Sequence, residues 1–169
     1  MDNQNELFYL VDANDQVLGS IKRSEAHSDV NKIHRAVEVL VTNQVNQMLF
    51  QKRSLTKDLY PGQWALACGG HVTYGETYLQ AAEREVFEEL GIHPHLFYVT
   101  KLLVKTPVES EQCQIYLGRV EQTPEHFDRR EVEAVTWVEI KDLALFVHNN
   151  PLPPDDIQVL KLLLYIPSA

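Results

Sequence analysis

The chain contains 169 residues, of which 44% are hydrophobic and 23% are charged. This balance is that of an ordinary globular protein and excludes a disordered or fibrous one. The formal net charge of −9 at pH 7 repels nucleic acid polymers and anionic membranes, so we expect neither as a partner. The sequence shows no basic and apolar leader and no apolar run of bilayer length, which predicts a cytoplasmic protein.

The two cysteines, Cys68 and Cys113, are widely separated in the sequence. Two residues are too few for a disulfide framework or a structural zinc site. We therefore expect two reduced thiols in the core and no redox chemistry.

The amino-terminal segment has the pattern of a hairpin. Residues 7–12 and 16–21 are mostly apolar and flank the tripeptide Ala-Asn-Asp at 13–15, which favours a turn. A single helical turn is expected over residues 24–27. This hairpin is predicted to be an extension that precedes the main domain.

A second pair of strands is predicted after the hairpin. Val37, Val39 and Val41 alternate with other residues, and such alternation is typical of a strand, here over 35–41. A second strand is expected over 47–53.

A helix is the strongest local prediction, and it follows a stretch rich in Pro and Gly over 54–74 in which regular structure should be short. Thr77 and Gln80 have the spacing of a capping box, and Gly91 ends the pattern. The apolar residues between them recur at helical spacing: Leu79, Ala82, Val86 and Leu90.

The carboxyl-terminal half is predicted to contain strands over 97–105, 112–120 and 134–140, and helices over 141–148 and 155–164. We expect one α/β (α+β) domain in which a mixed sheet lies between helices. Its parts are a hairpin extension (1–30), a core (31–145) and a carboxyl-terminal helix (146–169).

Three glutamates lie together on the predicted helix. Glu85, Glu88 and Glu89 are at positions i, i+3 and i+4, so their side chains emerge on one surface. Like charges at this spacing destabilise a helix unless a cation neutralises them, and such oxygen ligands suit Mg²⁺. A solvated helix face is the alternative explanation. Arg84 can hold one of the carboxylates in two hydrogen bonds.

The preceding loop completes a longer pattern. Residues 69–71 read Gly-Gly-His and residues 75–76 read Gly-Glu, so a loop that can approach a ligand closely delivers a fourth carboxylate. The whole segment resembles a complete Nudix box: Gly70, five residues, Glu76, seven residues, Arg84-Glu85-Val86, one residue, Glu88-Glu89, one residue, Gly91-Ile92.

The resemblance extends over about residues 35–143 and implies the Nudix fold, with a mixed sheet sandwiched between helices. It also implies hydrolysis of the diphosphate bond in a nucleoside diphosphate linked to another moiety. Mg²⁺ is the implied ion, with Mn²⁺ as the alternative. The partner is then a small nucleotide-like diphosphate; a homodimer is left open.

The resemblance also implies roles for the residues of the box. Glu88 and Glu89 are implied to be metal ligands, and Glu85 is either a third ligand or the general base. Arg84 is implied to orient these carboxylates. The loop residues Gly70 and Glu76 are implied to shape the site and to support the metal ligands.

The general base is left open, because family members differ in this residue. Glu109 and Glu111 are candidates outside the box, and both lie in the connection between two predicted strands, where loops often carry function. Solvated loop acids are the alternative. We favour Glu85, since it lies on the same surface as the metal ligands.

The basic residues before the box are the candidates for phosphate binding: Arg35, Lys52, Arg53 and Lys57. We expect at least one of them to contact the substrate, although any single one is more commonly a surface residue. Tyr60, Tyr74 and Trp64 are candidates for stacking on a base, and a core position is favoured for Trp64.

An isopentenyl-diphosphate delta-isomerase is the first alternative. His71 matches a metal-ligand histidine of the type I isomerases, and residues 108–113 resemble their segment with two acidic residues. The isomerases, however, need a cysteine two residues before that histidine, where this chain has Gly69, with Cys68 one place earlier. They also lose box residues that this chain keeps, so hydrolysis is favoured.

A non-catalytic nucleotide-sensing Nudix domain is the second alternative. Such domains usually lose carboxylates of the box, and none is lost here. A chain of this length also leaves no room for an output domain.

Overall fold

The structure is a computed structural model and describes residues 3–163. The strands in this range are β1 Leu7–Val11, β2 Val17–Lys22, β3 His34–Thr42, β4 Gln47–Arg53, β5 Trp64–Leu66, β6 Cys68–His71, β7 Leu96–Lys105, β8 Ser110–Arg119 and β9 Val132–Glu139. The α-helices are α1 Arg23–Ala26, α2 Tyr78–Leu90, α3 Leu143–Asn149 and α4 Pro154–Leu162. A 3-10 turn over Ile140–Asp142 precedes α3.

The strands form one mixed sheet flanked by helices, which confirms the predicted fold class. β3 is the central strand: it pairs in parallel with β8 and antiparallel with β6, and β8 continues to β7. β4 pairs with β5 and β9. The division into an extension, a core and a carboxyl-terminal helix remains a prediction. The last part of the predicted helical segment, residues 164–169, lies outside the described residues.

β3 is buried on both faces, and its two faces contact different parts of the core. Val37, Val39 and Val41 pack with the buried side of α2. Ala36 and Leu40 face the other cluster, which includes Val159 of α4. Glu38 lies between Ala36 and Leu40 along the strand, although it is an acid and is only 7% exposed.

Helix α2 has the boundaries that its sequence predicts. Thr77 and Gln80 form the capping box, and Gly91 ends the helix in the left-handed conformation with φ 65°. A Cβ atom at Gly91 would lie 2.3 Å from the carbonyl oxygen of His126. Glycine is therefore required there for its conformation and for the close approach of the next segment.

The amino-terminal hairpin of β1 and β2 is confirmed, and so is the helical turn after it. Phe8, Ile21 and Ala26 form a small buried cluster between them. β1 joins the sheet where Leu10 pairs with His34 at the start of β3. The hairpin therefore covers the end of the sheet at which β3 begins.

Strand β8 begins earlier than the sequence predicts. Its parallel pairing with β3 includes His34 opposite Glu111, so Glu111 lies in the strand and Glu109 directly before it. The expected loop position was therefore wrong for Glu111, because pairing with a distant strand extends β8 into a polar segment. Among residues 3–163, no helix is both long and apolar enough to span a bilayer.

Candidate active site

A cavity of about 850 Å³ opens between α2, the start of β8 and the start of α4. Its walls carry most of the residues that the sequence singled out: Gly70, His71, Arg84, Glu85, Glu88, Glu89, Glu109, Glu111, Arg53, Lys57 and Tyr60. The helix carboxylates of the box therefore share one space with the two acids outside it.

Arg84 connects the glycine loop to the acidic surface of α2. Its Nε and Nη2 donate to the two carboxylate oxygens of Glu76 at 2.8 and 3.0 Å. Its Nη1 donates to Glu85 at 2.7 Å and to Glu88 at 3.2 Å, and Nη2 also reaches the carbonyl of His71 at 3.1 Å. The carboxylate held in two parallel hydrogen bonds is thus that of Glu76, whose pKa these contacts lower.

Gly70 leaves room for the carboxylate of Glu85. A Cβ atom at this position would lie 2.2 to 2.7 Å from the carboxyl atoms of Glu85, so any other residue would displace that group. Burial raises the pKa of Glu85, although the guanidinium of Arg84 opposes the shift. Gly70 therefore allows the carboxylate of Glu85 to lie at this place.

The three helix glutamates differ strongly in exposure. Glu89 is 5% exposed and accepts a hydrogen bond of 2.9 Å from Gln51, whereas Glu88 is exposed. Burial and the neighbouring Glu85 carboxylate raise the pKa of Glu89 to about 7. A divalent cation would offset this repulsion, and the hard oxygen donors fit Mg²⁺ or Mn²⁺.

A second group of metal-ligand type lies next to the box. Three histidines from separate segments converge on two acids: His27 after α1, His34 at the start of β3, His71 at the end of β6, Glu109 and Glu111. The Nε2 atoms of His27 and His71 are 3.2 Å apart. We call these five residues the histidine cluster.

The acids of the histidine cluster lie close to its rings. Glu111 Oε1 is 3.4 Å from His34 Nε2 and 3.3 Å from His71 Nε2. Glu109 Oε2 is 3.4 Å from His27 Nε2. His71 and the two acids were predicted from the sequence, whereas His27 and His34 were not, because no local motif marks them.

Phe8 of the hairpin positions the histidine rings. It stacks on His71 with ring centroids 4.4 Å apart and on His34 at 5.5 Å. It also contacts His27 at 6.1 Å. Phe8 is fully buried, and its ring supports the histidines. The hairpin extension is therefore part of the site.

The donor atoms of the histidine cluster fit a divalent transition metal. His34 Nδ1 lies 3.2 Å from the carbonyl of Lys32, a hydrogen bond that leaves Nε2 as a lone-pair donor. His34 Nε2 and Glu109 Oε2 are both buried without a hydrogen-bond partner among the described residues. Burial and the adjacent His71 and His34 lower the pKa of His27 to about 3. Burial also lowers the pKa of His71, but its contacts with Glu109 and Glu111 outweigh burial and raise it to about 9. A metal ion would therefore displace a proton from His71, since neutral imidazoles bind such ions.

The fold places only some of the basic candidates for phosphate binding at the cavity. Arg53 and Lys57 line the cavity, whereas Arg35 and Lys52 are not among its lining residues. Arg35 pairs with Asp15 at 2.7 Å and lies over the ring of Tyr9. Lys52 pairs with Glu133 at 3.1 Å.

The aromatic candidates are also separated. Tyr60 lines the cavity, with Arg53 donating to the adjacent carbonyl of Leu59 at 3.1 Å. Tyr74 packs against Tyr9, 4.7 Å between ring centroids. Trp64 is only partly exposed and packs against the second core cluster, as the sequence favours.

Residues 32–163 match the family model of the NUDIX domain. The chain belongs to the Nudix family. It is 33% identical over 161 residues to an uncharacterised Nudix hydrolase of Pseudomonas aeruginosa, 94% of each chain. Isopentenyl-diphosphate delta-isomerase 1 of Photorhabdus laumondii is 32% identical, over 83% of this chain and 84% of that protein. A Deinococcus radiodurans crystal structure matches with TM-score 0.74 and 26% identity, over 85% and 90% of the two chains.

The chain is thus a Nudix hydrolase of a branch that resembles the isomerases. Position 69 separates this chain from the isomerase pattern, which requires a cysteine there. A Cβ atom at Gly69 would lie 2.6 Å from Oε2 of Glu38, so a carboxylate occupies the space of the missing side chain. Cys68 is fully buried, and burial raises its pKa well above the usual range, as expected of an inert thiol.

Proposed function

We propose that this Nudix protein hydrolyses the diphosphate bond of a nucleoside diphosphate linked to another moiety. The observation that carries the proposal is the arrangement of Glu85, Glu88 and Glu89. These carboxylates face one cavity from one helical surface, and Arg84 contacts two of them. In this proposal Glu88 and Glu89 bind Mg²⁺, with Mn²⁺ as the alternative ion, and Glu85 is the general base.

In the proposed mechanism, the metal ion, the general base and the basic residues have separate roles. When bound, Mg²⁺ offsets the charge that develops on the phosphate oxygens and lowers the pKa of water. Glu85 accepts a proton from water while the water oxygen forms a bond to one phosphorus. The bond from that phosphorus to the bridging oxygen breaks, and the other phosphate leaves with this oxygen. Arg53 and Lys57, on the cavity wall, contact the phosphates of the substrate.

The contacts of the two outside acids support Glu85 as the base. Glu109 and Glu111 both lie against histidine rings at 3.3 to 3.4 Å. A carboxylate that serves a metal or an imidazole is less free to accept a proton from water. Glu85 also accepts a hydrogen bond, of 2.7 Å from Arg84, but it contacts no imidazole, faces the bare backbone of Gly70 and lies in the cavity.

The histidine cluster favours isopentenyl-diphosphate isomerisation as the second candidate function, because His71 and the two acids match the isomerase pattern. The absence of a side chain at Gly69 opposes it, since the resemblance requires a thiol there for proton transfer. The intact box carboxylates also favour hydrolysis. The two activities differ in products and can be measured separately.

The test is a screen with Mg²⁺ of nucleoside di- and triphosphates, dinucleoside polyphosphates, ADP-ribose, NADH, CoA and isopentenyl diphosphate. We expect hydrolysis within the nucleotide set and no dimethylallyl diphosphate from isopentenyl diphosphate. The variant Cys68→Ala should hydrolyse at close to the wild-type rate. Isomerisation by the parent chain without hydrolysis of any nucleotide would overturn the proposal.

A further inference from the structure

A third group of acids lies in the same cavity, at the amino-terminal end of α4. One carboxylate oxygen from each of Glu38, Asp155 and Asp156 lies within 4.8 Å of the others. Glu38 comes from the central strand β3, whereas the two aspartates come from the first turn of α4. None of the three belongs to the Nudix box or to the histidine cluster.

Glu38 is a buried acid without a partner. It is 7% exposed, and no described residue donates a hydrogen bond or forms an ion pair with its side chain. In Asp155 the Oδ1 atom itself is buried and has no hydrogen-bond partner among the described residues. Buried carboxylates are normally paired, so these atoms indicate a ligand.

The carboxylate of Asp156 is held in place by a backbone hydrogen bond. Its Oδ2 accepts a hydrogen bond of 2.7 Å from the backbone N–H of Leu66. This bond holds the start of α4 against β5. Asp156 is therefore anchored, while Glu38 and Asp155 direct unsatisfied oxygens into the cavity that all three line.

Gly69 creates the space that Glu38 fills. Oε2 of Glu38 lies 2.6 Å from the position of a Cβ atom at residue 69, and the two residues face each other in the β3–β6 pairing. Even an alanine methyl group would force the carboxylate to move. The backbone of β6 is thus shaped to admit an acid at this place.

We propose that Glu38, Asp155 and Asp156 bind a divalent cation of their own. All the donors are hard oxygens, which favours Mn²⁺, Ca²⁺ or Mg²⁺ over softer ions. Opposed ligands of Ca²⁺ are about 4.6 to 5.2 Å apart, twice the ion–oxygen distance, so the observed spacing admits such an ion with little movement. Without a cation, burial raises the pKa of Glu38 and Asp156 well above the usual range.

The proposed cation would lie beside the site of the proposed hydrolysis. Its binding does not depend on that activity. Glu38 and the helix glutamate Glu89 line the same cavity. A cation there would add positive charge to a cavity rich in acids. The test therefore measures ion binding and not turnover.

The experiment titrates the chelator-treated, full-length protein with Mn²⁺ and measures free Mn²⁺ by electron paramagnetic resonance. Two variants change the proposed site: Glu38→Gln removes its charge, and Gly69→Ala displaces the carboxylate without changing any charge. Glu83→Gln is the matched control, because Glu83 is an exposed acid on α2 outside the cavity lining. Thermal unfolding verifies that each variant is folded.

We expect Glu38→Gln and Gly69→Ala each to bind one Mn²⁺ ion fewer than Glu83→Gln and the wild type. Equal numbers of ions and equal affinities in all four proteins would overturn the proposal. It would also be overturned if Glu38→Gln alone weakened binding and Gly69→Ala had no effect. Glu38 would then act only through its charge at a distance.

Discussion

Arg84 is the residue that unites the separate parts of the Nudix box. It contacts Glu76, Glu85, Glu88 and the backbone of His71 through three nitrogen atoms. Only a planar guanidinium can serve these partners at once. Its effect on hydrolysis is therefore through the position of the carboxylates rather than through contact with the substrate.

The first prediction is that Arg84→Lys lowers kcat by about 10- to 100-fold, the usual cost of losing a residue that orients metal ligands. A lysine cannot form the paired bonds to Glu76, so the loop and helix lose their connection. Steady-state kinetics at saturating Mg²⁺ measures the effect. Arg119→Lys, at an exposed position on β8, is the control and should be unchanged; an equal loss in both variants would contradict the role of Arg84.

The second prediction separates the general base from the metal ligands. Glu85→Gln should lower kcat by about 10²- to 10⁴-fold with little change in KM, as expected for a lost base. Glu88→Gln and Glu89→Gln should lose activity that partly returns as Mg²⁺ is raised, because their defect is occupancy.

The measurement is kcat at several Mg²⁺ concentrations for each variant, with Glu109→Gln and Glu111→Gln for comparison. Added metal cannot replace a missing base, so Glu85→Gln should show no recovery. If Glu85→Gln recovered and one of the outside variants did not, the base would lie at the start of β8.

At the scale of elements, the amino-terminal hairpin is joined to the core by its turn. Asp15, at the turn, accepts hydrogen bonds from Arg35, Lys101 and Tyr78, which belong to three other elements. Burial of Asp15 opposes ionisation, but these donors outweigh it and lower its pKa below the usual 3.8. The hairpin must be held in this way because its Phe8 supports the histidine rings.

The third prediction concerns the pH dependence of this connection. Because the folded state lowers the pKa of Asp15, its contribution to stability is present above about pH 4 and is lost as the pH falls. Asp15→Asn should lower the Tm by a few degrees at pH 7, since about 1 kcal/mol shifts the Tm of a domain of this size by about 2 to 4 °C.

Thermal unfolding of Asp15→Asn and wild type between pH 3 and 7 measures this difference. Asparagine tolerates the positive φ of 64° at this position, so the turn itself should survive. The two Tm values should converge at the acid end. A constant difference over the whole range would show that the charge of Asp15 is not the cause.

At the scale of the whole molecule, the fold brings three groups of acidic ligands into one cavity of a chain with net charge −9. In the box and in the group at α4, neighbouring buried or partly buried carboxylates repel one another without cations. Binding of divalent ions to the folded state alone should therefore stabilise the entire domain.

The fourth prediction is that removal of divalent ions lowers the Tm of the protein. Ligand at 100 times its Kd adds about 2.7 kcal/mol to the free energy of unfolding, so Mn²⁺ should raise the Tm of chelator-treated protein by several degrees. Differential scanning calorimetry measures the shift. Potassium chloride at equal ionic strength is the control, and a shift of the same size with it would indicate screening instead of binding.

The sequence alone determined the glutamate helix and its likeness to the Nudix box. The caps at Thr77 and Gly91 depend on backbone bonds within a few residues, so a local pattern suffices to predict them. The apolar spacing likewise predicted the burial of Ala82, Val86 and Leu90, but it was wrong for Leu79, which is exposed. These features needed no knowledge of the other strands.

Only the tertiary structure decided what surrounds that helix. The parallel pairing of β3 with β8 places His34 opposite Glu111, and the packing of α4 brings Asp155 and Asp156 to Glu38. It also directs Arg35 to Asp15 and away from the cavity. Pairing and packing depend on register between segments far apart in the chain, and no local pattern of residues specifies that register.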